Sequence, residues 1–466
     1  MDNSIIAAID IGTTKIVAIT GKRNSENKYE ILGFGTVPSK GIKRGSVLNI
    51  EEAIETIRLA VEKASEISGI KLSEVYVGIA GQHIRSMPAR TTVSFGSPDH
   101  EIVSADIEFL RKKVNEVSVE TGEEILHVIP QSYIVDREVG IKNPVGMCGR
   151  QLEGNFHVVI GQMAAISNIR KCVNRLAIKV NDLILEPLAS SSAVLTCDEK
   201  EIGVAMVDIG GGTTDLAIYH DGMIVHTAVI PFGGNAITSD IRQYFNILER
   251  QAEELKKQYG SAIYEKSQEE IIITIPGLKG RPPKELSLSK LTMITKARVE
   301  EIIHAVMFQI ETSGVADKLG AGIVICGGGA LLKNIRQAFS YITELDVRVG
   351  YPNEYLNSDV VEEINQPQFA TAVGLIMKGY ELQNTVVAKK EPFDLIKDTF
   401  PGDSQPDEKE MRKLKEKERK EREKAEKEEK KKAKLDDDDD DKEKTSFMDK
   451  IKTTVSKLFD EDDNKF

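Results

Sequence analysis

Met206-Val207-Asp208-Ile209-Gly210-Gly211-Gly212-Thr213-Thr214-Asp215 leads an apolar run into three glycines and two threonines, and Leu216-Ala217-Ile218-Tyr219 carries the chain away again. The pattern predicts a β-hairpin whose turn offers backbone N–H groups and hydroxyls to an anion. Glycine lets the backbone approach an oxyanion without a Cβ in the way. Asp208 and Asp215 bracket the turn, and carboxylates beside a phosphate site act through a divalent cation and its water shell. Taken alone, the stretch also reads as a plain glycine-rich hairpin.

A second copy changes that balance. Ile5-Ile6-Ala7-Ala8-Ile9-Asp10-Ile11-Gly12-Thr13-Thr14-Lys15-Ile16-Val17-Ala18-Ile19 is again an apolar strand, an Asp-Ile-Gly-Thr-Thr turn and an apolar strand. Two such motifs about two hundred residues apart predict related halves, each offering one phosphate clasp to a shared cleft. The clasp residues are Asp10, Gly12, Thr13, Thr14 and Lys15 in one half, and Asp208, Gly210, Gly211, Gly212, Thr213 and Thr214 in the other. Asp10 and Asp208 are the candidate holders of a cation through water. A Walker loop would need Gly-x-x-x-x-Gly-Lys-Ser/Thr at the start of a helix, and the chain has none.

Composition narrows the class. The 466 residues, 40% of them hydrophobic, suffice for more than one core. A net charge of −12 argues against sequence-independent nucleic-acid binding, which needs a basic footprint. Cys148, Cys172, Cys197 and Cys326 lack metal-ligand spacing and read as reduced thiols in the cytosol. The start of the chain has no basic n-region of a signal peptide, and no window approaches the length of a transmembrane helix.

Residues 1–84 alternate strands and helices, with Tyr29–Val37 a strand, Glu51–Ser68 a one-faced helix and Val75–Gly81 a buried strand. Residues 85–160 break this rhythm and predict a small α+β insertion: a helix capped at Ser104, then strands over 124–136 and 154–161. Its histidines, His127 and His157, fall inside strand patterns and read as packing residues, so the insertion reads as a protein-contact surface. Asn168–Ile178 is helical in pattern, and 161–199 completes the first half. There Leu183–Glu186 ends a strand, and Pro187 opens a helix of small residues suited to close packing. Glu186 stands either as a positioner of water near a γ-phosphate or as a cap of that helix.

The second half spans 200–383, with a smaller subdomain over about 228–312. Glu253 and Lys256, three apart on the helix 249–259, share a face; spacing alone favours a surface ion pair. Ile323-Val324-Ile325-Cys326-Gly327-Gly328-Gly329 runs an apolar strand into glycines against which a nucleoside fits flat, with a helix expected at Leu331–Phe339. Phe369–Ile376 is a second small-residue helix, a partner for the one at 188–195.

Beyond this the composition shifts. Residues 384–445 form a linker dominated by Lys, Arg and Glu and by the run Asp436–Asp441, which cannot bury a core. Taken as a coil, about sixty residues separate their ends by on the order of 45 Å. Residues 446–460 differ again: at about 100° per residue, Phe447, Met448, Ile451, Val455, Leu458 and Phe459 share an arc of roughly 120° that excludes Lys450, Lys452 and Lys457. Such a helix is built for a membrane interface or a partner groove. Burying six such side chains contributes roughly 5–8 kcal/mol gross, much of it offset by ordering, so single copies bind weakly and arrays bind firmly.

Together these motifs resemble those of the actin, sugar-kinase and heat-shock-chaperone ATPase superfamily. Asp10–Lys15 and Asp208–Asp215 look like its two phosphate motifs, Gly327-Gly328-Gly329 like its adenosine motif, and Leu185–Pro187 with Ala370–Ile376 like its connecting helices. The chain is similar to the FtsA family of bacterial actin-like cell-division proteins through Gly41-Ile42-Lys43-Arg44-Gly45, Val128–Tyr133, Gly140–Gly146 and the terminal helix. The resemblance implies an actin-like, ribonuclease-H-like, duplicated two-lobed α/β fold carrying an inserted subdomain. It implies ATP with Mg²⁺ in the cleft, and Glu253 and Lys256 as an adenosine-gripping Glu-x-x-Lys in place of a surface pair. It further implies filaments of the protein with itself, membrane lipid bound through the terminal helix, and a site for the FtsZ C-terminal peptide on the second half, where Arg298 is the candidate contact. Recruitment of later division proteins, at the cytoplasmic face of the cell membrane at the division site, completes the picture. The linker is longer and more charged than is usual in the family, and its aspartates are repelled by anionic lipids. An active ATPase or small-molecule kinase is the rival reading, but no constellation for a second substrate faces the cleft motifs.

Overall fold

The computed structural model describes residues 4–26, 28–277, 279–357 and 362–390, with side chains as far as 384. Two five-stranded sheets share one plan. In the first, Ile5–Ile11 forms an antiparallel hairpin with Lys15–Arg23, which pairs on with Tyr29–Pro38. On its other side Ile5–Ile11 runs parallel to Glu74–Ile79, and that strand parallel to Lys179–Leu185. In the second sheet Val204–Ile209 forms a hairpin with Thr214–His220, which pairs with Met223–Ile230, while Ile323–Cys326 and Val347–Val349 add on in parallel. Strand order and direction match position for position, so the motif repeat in the sequence is a duplication of a whole sheet. In both copies the Gly-Thr stretch is the turn of the central hairpin.

Each sheet buries its faces with the residues the sequence marks. Helix Ile50–Ser68 starts at Asn49, whose side chain accepts the Glu52 N–H, and ends at the left-handed Gly69. Its small buried face, Ala53, Ile57, Ala60 and Ala64, lies against the first sheet. Helices Gly234–Phe245, Glu249–Tyr259 and Leu288–Thr312 build the smaller part of the second lobe beside the hairpin Ile272–Ile275/Lys284–Ser287.

Two helices fill the space between the sheets: Glu186–Val194 and Ala370–Lys390. Ala189, Ala193, Ala372, Val373, Leu375 and Ile376 pack with Ala8, Val17 and Ile19 of the first sheet and Met206, Ala217 and Val324 of the second in one core. The small side chains let the helices come very close: a methyl group on Gly374 would stand 1.8 Å from the Ala189 carbonyl oxygen.

The insertion is a four-stranded antiparallel sheet in the order Ile84–Ser94, Gln151–Gln162, Glu123–Val135, Glu138–Ile141, covered by helix Ser104–Val114. Ile102, Leu110, Leu152, Phe156 and Ile160 make its own core. Pro130 stands opposite Phe156 at a register shift, where the lost backbone donor is tolerated. The insertion is anchored to both lobes. His127 Nε2 accepts the Leu185 N–H at 3.1 Å on the first, while His157 Nε2 meets the Thr227 hydroxyl at 2.7 Å on the second. Ser86 Oγ donates to Thr227 O, and Gln131 Nε2 to Ile224 O. Burial lowers both imidazoles to about 4, so each is neutral at physiological pH. The histidines are packing residues, as their strand positions predict.

Several boundaries differ from expectation. Ser104 is the first helical residue, not the cap: the cap position is Val103, whose N–H is held by Asp106, an acid of the first turn. The helix expected over 168–178 is Met163–Asn174, because Ala177 takes a left-handed backbone. The glycines at 327–329 turn into a short 3₁₀ segment, so the helix expected at 331–339 starts only at Ile335 and runs to Thr343. Ala370–Lys390 continues past 383 into the segment assigned to the linker, since no proline intervenes before Pro392 to stop it. The rest of the linker, and the terminal helix with Phe447, Met448, Ile451, Val455, Leu458 and Phe459, lie outside the described residues. No helix among those described is long and apolar enough to cross a membrane.

The Gly374 crossing yields a direct test. Gly374→Ala forces two backbones apart in a shared core, and a loss of about 2 kcal/mol or more is expected from urea denaturation, in the upper range for overpacking. A loss below about 0.5 kcal/mol would show that the helices separate freely.

Candidate functional site

The turns of the two central hairpins face one another across a cavity of about 420 Å³. A methyl group on Gly211 would stand 1.8 Å from Thr14 Oγ1, and one on Gly212 would stand 2.5 Å from Thr13 Oγ1, so only bare backbone lets the turns meet. The second turn is braced from behind: Gly234 N donates to Gly210 O and Asn235 N to Gly211 O. Its outward N–H groups and the two threonine hydroxyls of the first turn suit a chain of phosphate oxygens.

Carboxylates crowd the floor of the cleft. Asp10, Asp208 and Asp215 are buried and Glu186 is partly so, with Lys15 the cation among them. Burial pushes the Asp10 carboxyl up to about 7; Lys15 pulls against this and Asp208 adds to it. Burial lowers Lys15 to about 8 despite Asp10 and Asp208. Asp215 and Glu186 are held well above the usual carboxylate range, by burial first and by the neighbouring acids second. Asp208 is also raised by burial, opposed by hydroxyls that donate to its Oδ2: Ser190 Oγ at 2.8 Å and Thr371 Oγ1 at 3.1 Å. Asp215 Oδ2 accepts from Thr213 Oγ1, but its Oδ1 is buried with no partner.

Those acids fit a divalent cation. They leave a buried carboxylate oxygen unsatisfied and a like-charge cluster that Lys15 does not neutralise. Among the described residues, however, no three His, Cys, Asp or Glu side chains converge closely enough to chelate a metal directly. A cation there would have to be held in part through water. Lys15 Nζ is pinned by Gln368 O at 2.7 Å and lies 3.7 Å from the centre of the Phe369 ring, which directs it along the floor.

The far end of the cavity is different in chemistry. Glu253 and Lys256 form a 2.6 Å ion pair that also binds the Thr238 hydroxyl, and Lys256 donates to Gly234 O. Burial raises Glu253, but Lys256 outweighs it and the carboxyl ends below its ordinary range. Gly327, Gly328 and Gly329 form the facing wall, with Val299, Ile302, Leu331 and Ile335 completing an apolar slot. A flat apolar slot flanked by one charged pair fits a heterocycle and its sugar.

The cleft thus collects Asp10, Gly12, Thr13, Thr14, Lys15, Glu186, Asp208, Gly210, Gly211, Gly212, Thr213, Glu253, Lys256 and the three glycines at 327–329. Thr214 is the exception and is corrected here: its hydroxyl donates to Phe232 O, so it braces the strands and does not line the cavity. The Glu186 side chain lines the cleft while its backbone opens the helix, so cleft and helix-start positions coincide. Arg298 stands outside the cavity lining, where Asp240 holds its guanidinium at 2.6 and 3.0 Å and Glu301 at 2.5 Å. Sequence reading missed Ser190 and Thr371, for which the only signals were a hydroxyl in a run of three serines within one helix and a hydroxyl between alanines at the start of the other. It also missed the apolar slot, whose residues come from separate elements.

Comparison with known proteins agrees with this architecture. Residues 205–374 match the family model described as cell division protein FtsA, and residues 81–160 match the SHS2 domain inserted in FtsA. The chain is 38% identical to the cell division protein FtsA of Pseudomonas aeruginosa, over 82% of this chain and 90% of that one. It is 33% identical to FtsA of Bacillus subtilis, over 85% and 89%. A chain of the PilM–PilN type IV pilus biogenesis complex shares the fold at a TM-score of 0.58 and 14% identity, with 81% of this chain and 99% of that one covered.

The buried acids predict a pH signature. With its folded value near 7 against an ordinary 3.8, Asp10 holds a proton in the folded state that the unfolded chain has already released. Stability therefore falls as pH rises through that window. Asp10→Asn is expected to stabilise the ligand-free protein by on the order of 2–4 kcal/mol at pH 8 and by little at pH 4. Denaturation curves across that range decide it, and a gain independent of pH would contradict the assignment.

Proposed function

The chain belongs to the FtsA family of actin-like cell-division proteins, and from that premise we propose that it is an ATP-binding scaffold that polymerises on the membrane, anchors FtsZ filaments there and recruits later division proteins. One observation carries the nucleotide reading: two duplicated sheets turn their Gly-Thr hairpins toward each other over a single cleft. Gly12, Thr13 and Thr14 grip the phosphate chain from one lobe and Gly210–Thr213 from the other, so occupancy ties the lobes together. Asp10 and Asp208, with Asp215 beside them, hold Mg²⁺ through water. When bound, Mg²⁺ supplies positive charge that neutralises both the acid cluster and the phosphates. Lys15 stays aimed along the floor by Gln368 and Phe369 and adds a second positive group. Glu253 and Lys256 receive the ribose and adenine at the apolar end.

Glu186 orients a water toward the terminal phosphate, and burial beside Asp10, Asp215 and Asp208 raises its carboxyl above the ordinary range. The chain acts as a nucleotide-switched scaffold with slow hydrolysis, and a small-molecule kinase is the rival reading. Arg298 and its helix Leu288–Thr312 are the proposed contact for the FtsZ C-terminal peptide, by exchange of Asp240 or Glu301 for a peptide carboxylate. The apolar arc Phe447–Phe459, read from sequence, is the lipid anchor at the cytoplasmic face of the membrane.

Flotation with lipid vesicles in the presence of ATP, Mg²⁺ and an FtsZ tail peptide tests this directly. The full chain is expected to carry the peptide to the vesicles, and Ile451→Asp or Leu458→Asp to abolish flotation with ATP binding intact. Vesicle binding by both variants would place the anchor elsewhere. Phosphate release many times faster than filament turnover would favour the enzymatic reading.

A further inference from the structure

The segment Gly41–Gly45 marks the family in the sequence, yet nothing in the cleft chemistry described above uses it. It forms a tight hairpin, Ile42–Lys43 against Ser46–Val47, with left-handed backbone at Gly41, Arg44 and Gly45. Gly45 lines the nucleotide cavity together with Ala80. A methyl group on Gly45 would stand 2.0 Å from the Ala80 carbonyl oxygen, so the turn sits directly on the end of strand Glu74–Ile79. From there the Gly45 N–H donates to Thr13 Oγ1 at 3.3 Å.

Behind the turn lies His83. It is only 7% exposed, its Nδ1 meets Ser46 Oγ at 3.2 Å, and its buried Nε2 has no partner. The contact with Ser46 is thus the ring's single hydrogen bond. Its backbone carbonyl accepts the Gln162 N–H, where the inserted sheet rejoins the first lobe. Burial lowers the imidazole below its ordinary range, which keeps it a neutral hydrogen-bonding group.

We propose that His83 is a positioning residue for the first phosphate clasp: through Ser46 it holds the Gly41–Gly45 turn against Thr13. A hydroxyl both accepts and donates. With its lone pair committed to the Gly45 N–H, the Thr13 hydroxyl keeps its own hydrogen for a phosphate oxygen. The same contacts connect the root of the inserted sheet to the clasp, since His83 and Gln162 stand at its two ends. This rests on the cleft being a nucleotide site.

Displacement of a fluorescent ATP analogue by ATP with Mg²⁺, measured on the full chain, tests it. Ser46→Ala and His83→Ala are each expected to weaken ATP binding about 3- to 10-fold, the scale of one hydrogen bond. In a Thr13→Ala background neither is expected to weaken it further, because the path to phosphate is already cut. His83→Asn, which keeps a polar atom at the Nδ1 position, restores binding to within about twofold, while His83→Gln, which moves it outward, does not. Ser46→Ala removes a single oxygen and keeps the test valid if the histidine variants unfold. Losses that add to that of Thr13→Ala, no loss in Ser46→Ala, or equal behaviour of the Asn and Gln variants overturn the proposal. Absence of ATP binding in the unmutated chain overturns the nucleotide reading itself, and this inference with it.

Discussion

Asp208 accepts hydroxyls from Ser190 and Thr371, one from each of the helices that lie between the sheets. The same residue is the last but one of the strand that enters the second Gly-Thr turn. A buried carboxylate with two charge-assisted hydrogen bonds is expensive to disturb. The second clasp is therefore locked to the helices, and the helices are locked to one another where Gly374 meets Ala189. The crossing thus joins the second clasp to the core that both sheets share.

The acid cluster gains its meaning from that rigidity. Asp10, Glu186, Asp208 and Asp215 are pushed toward protonation by burial, and all but Asp208 also by their acidic neighbours, while Lys15 opposes the shift at Asp10 and Asp208. Evolution of stability alone would remove such a cluster; burying acids beside one another weakens the folded state. Such a like-charge cluster fits a site that takes up a cation. The facing turns bring no positive side chain except Lys15, so what they offer an anion is chiefly backbone dipoles and hydroxyls.

The insertion is not an independent appendage. Its histidines bond the first lobe just before Glu186 and the second lobe on the strand that leads to the brace at Gly233–Asn235. Both contacts thus stand one short segment away from the cleft. The insertion and the cleft therefore share the same few backbone segments, which is the physical requirement for coupling between two sites.

Much of this was written in local sequence. Turn chemistry in Asp-Ile-Gly-Thr-Thr and Asp-Ile-Gly-Gly-Gly-Thr-Thr is local, because glycine and hydroxyl residues act within a few bonds, and the repeat announced the paired sheets. Helix faces such as Ala53–Ala64 were equally legible from their period. Tertiary structure decided what periodicity cannot hold. It turned the Thr214 hydroxyl to Phe232 instead of the cavity, gave Ser190 and Thr371 a common carboxylate, and assembled the apolar slot from three separate elements. It also moved helix starts at Ser104 and Ile335, where a neighbouring acid or a 3₁₀ turn outweighed residue preference. Side-chain direction and long-range pairing depend on packing between segments hundreds of residues apart, and that information exists only once the chain has closed on itself.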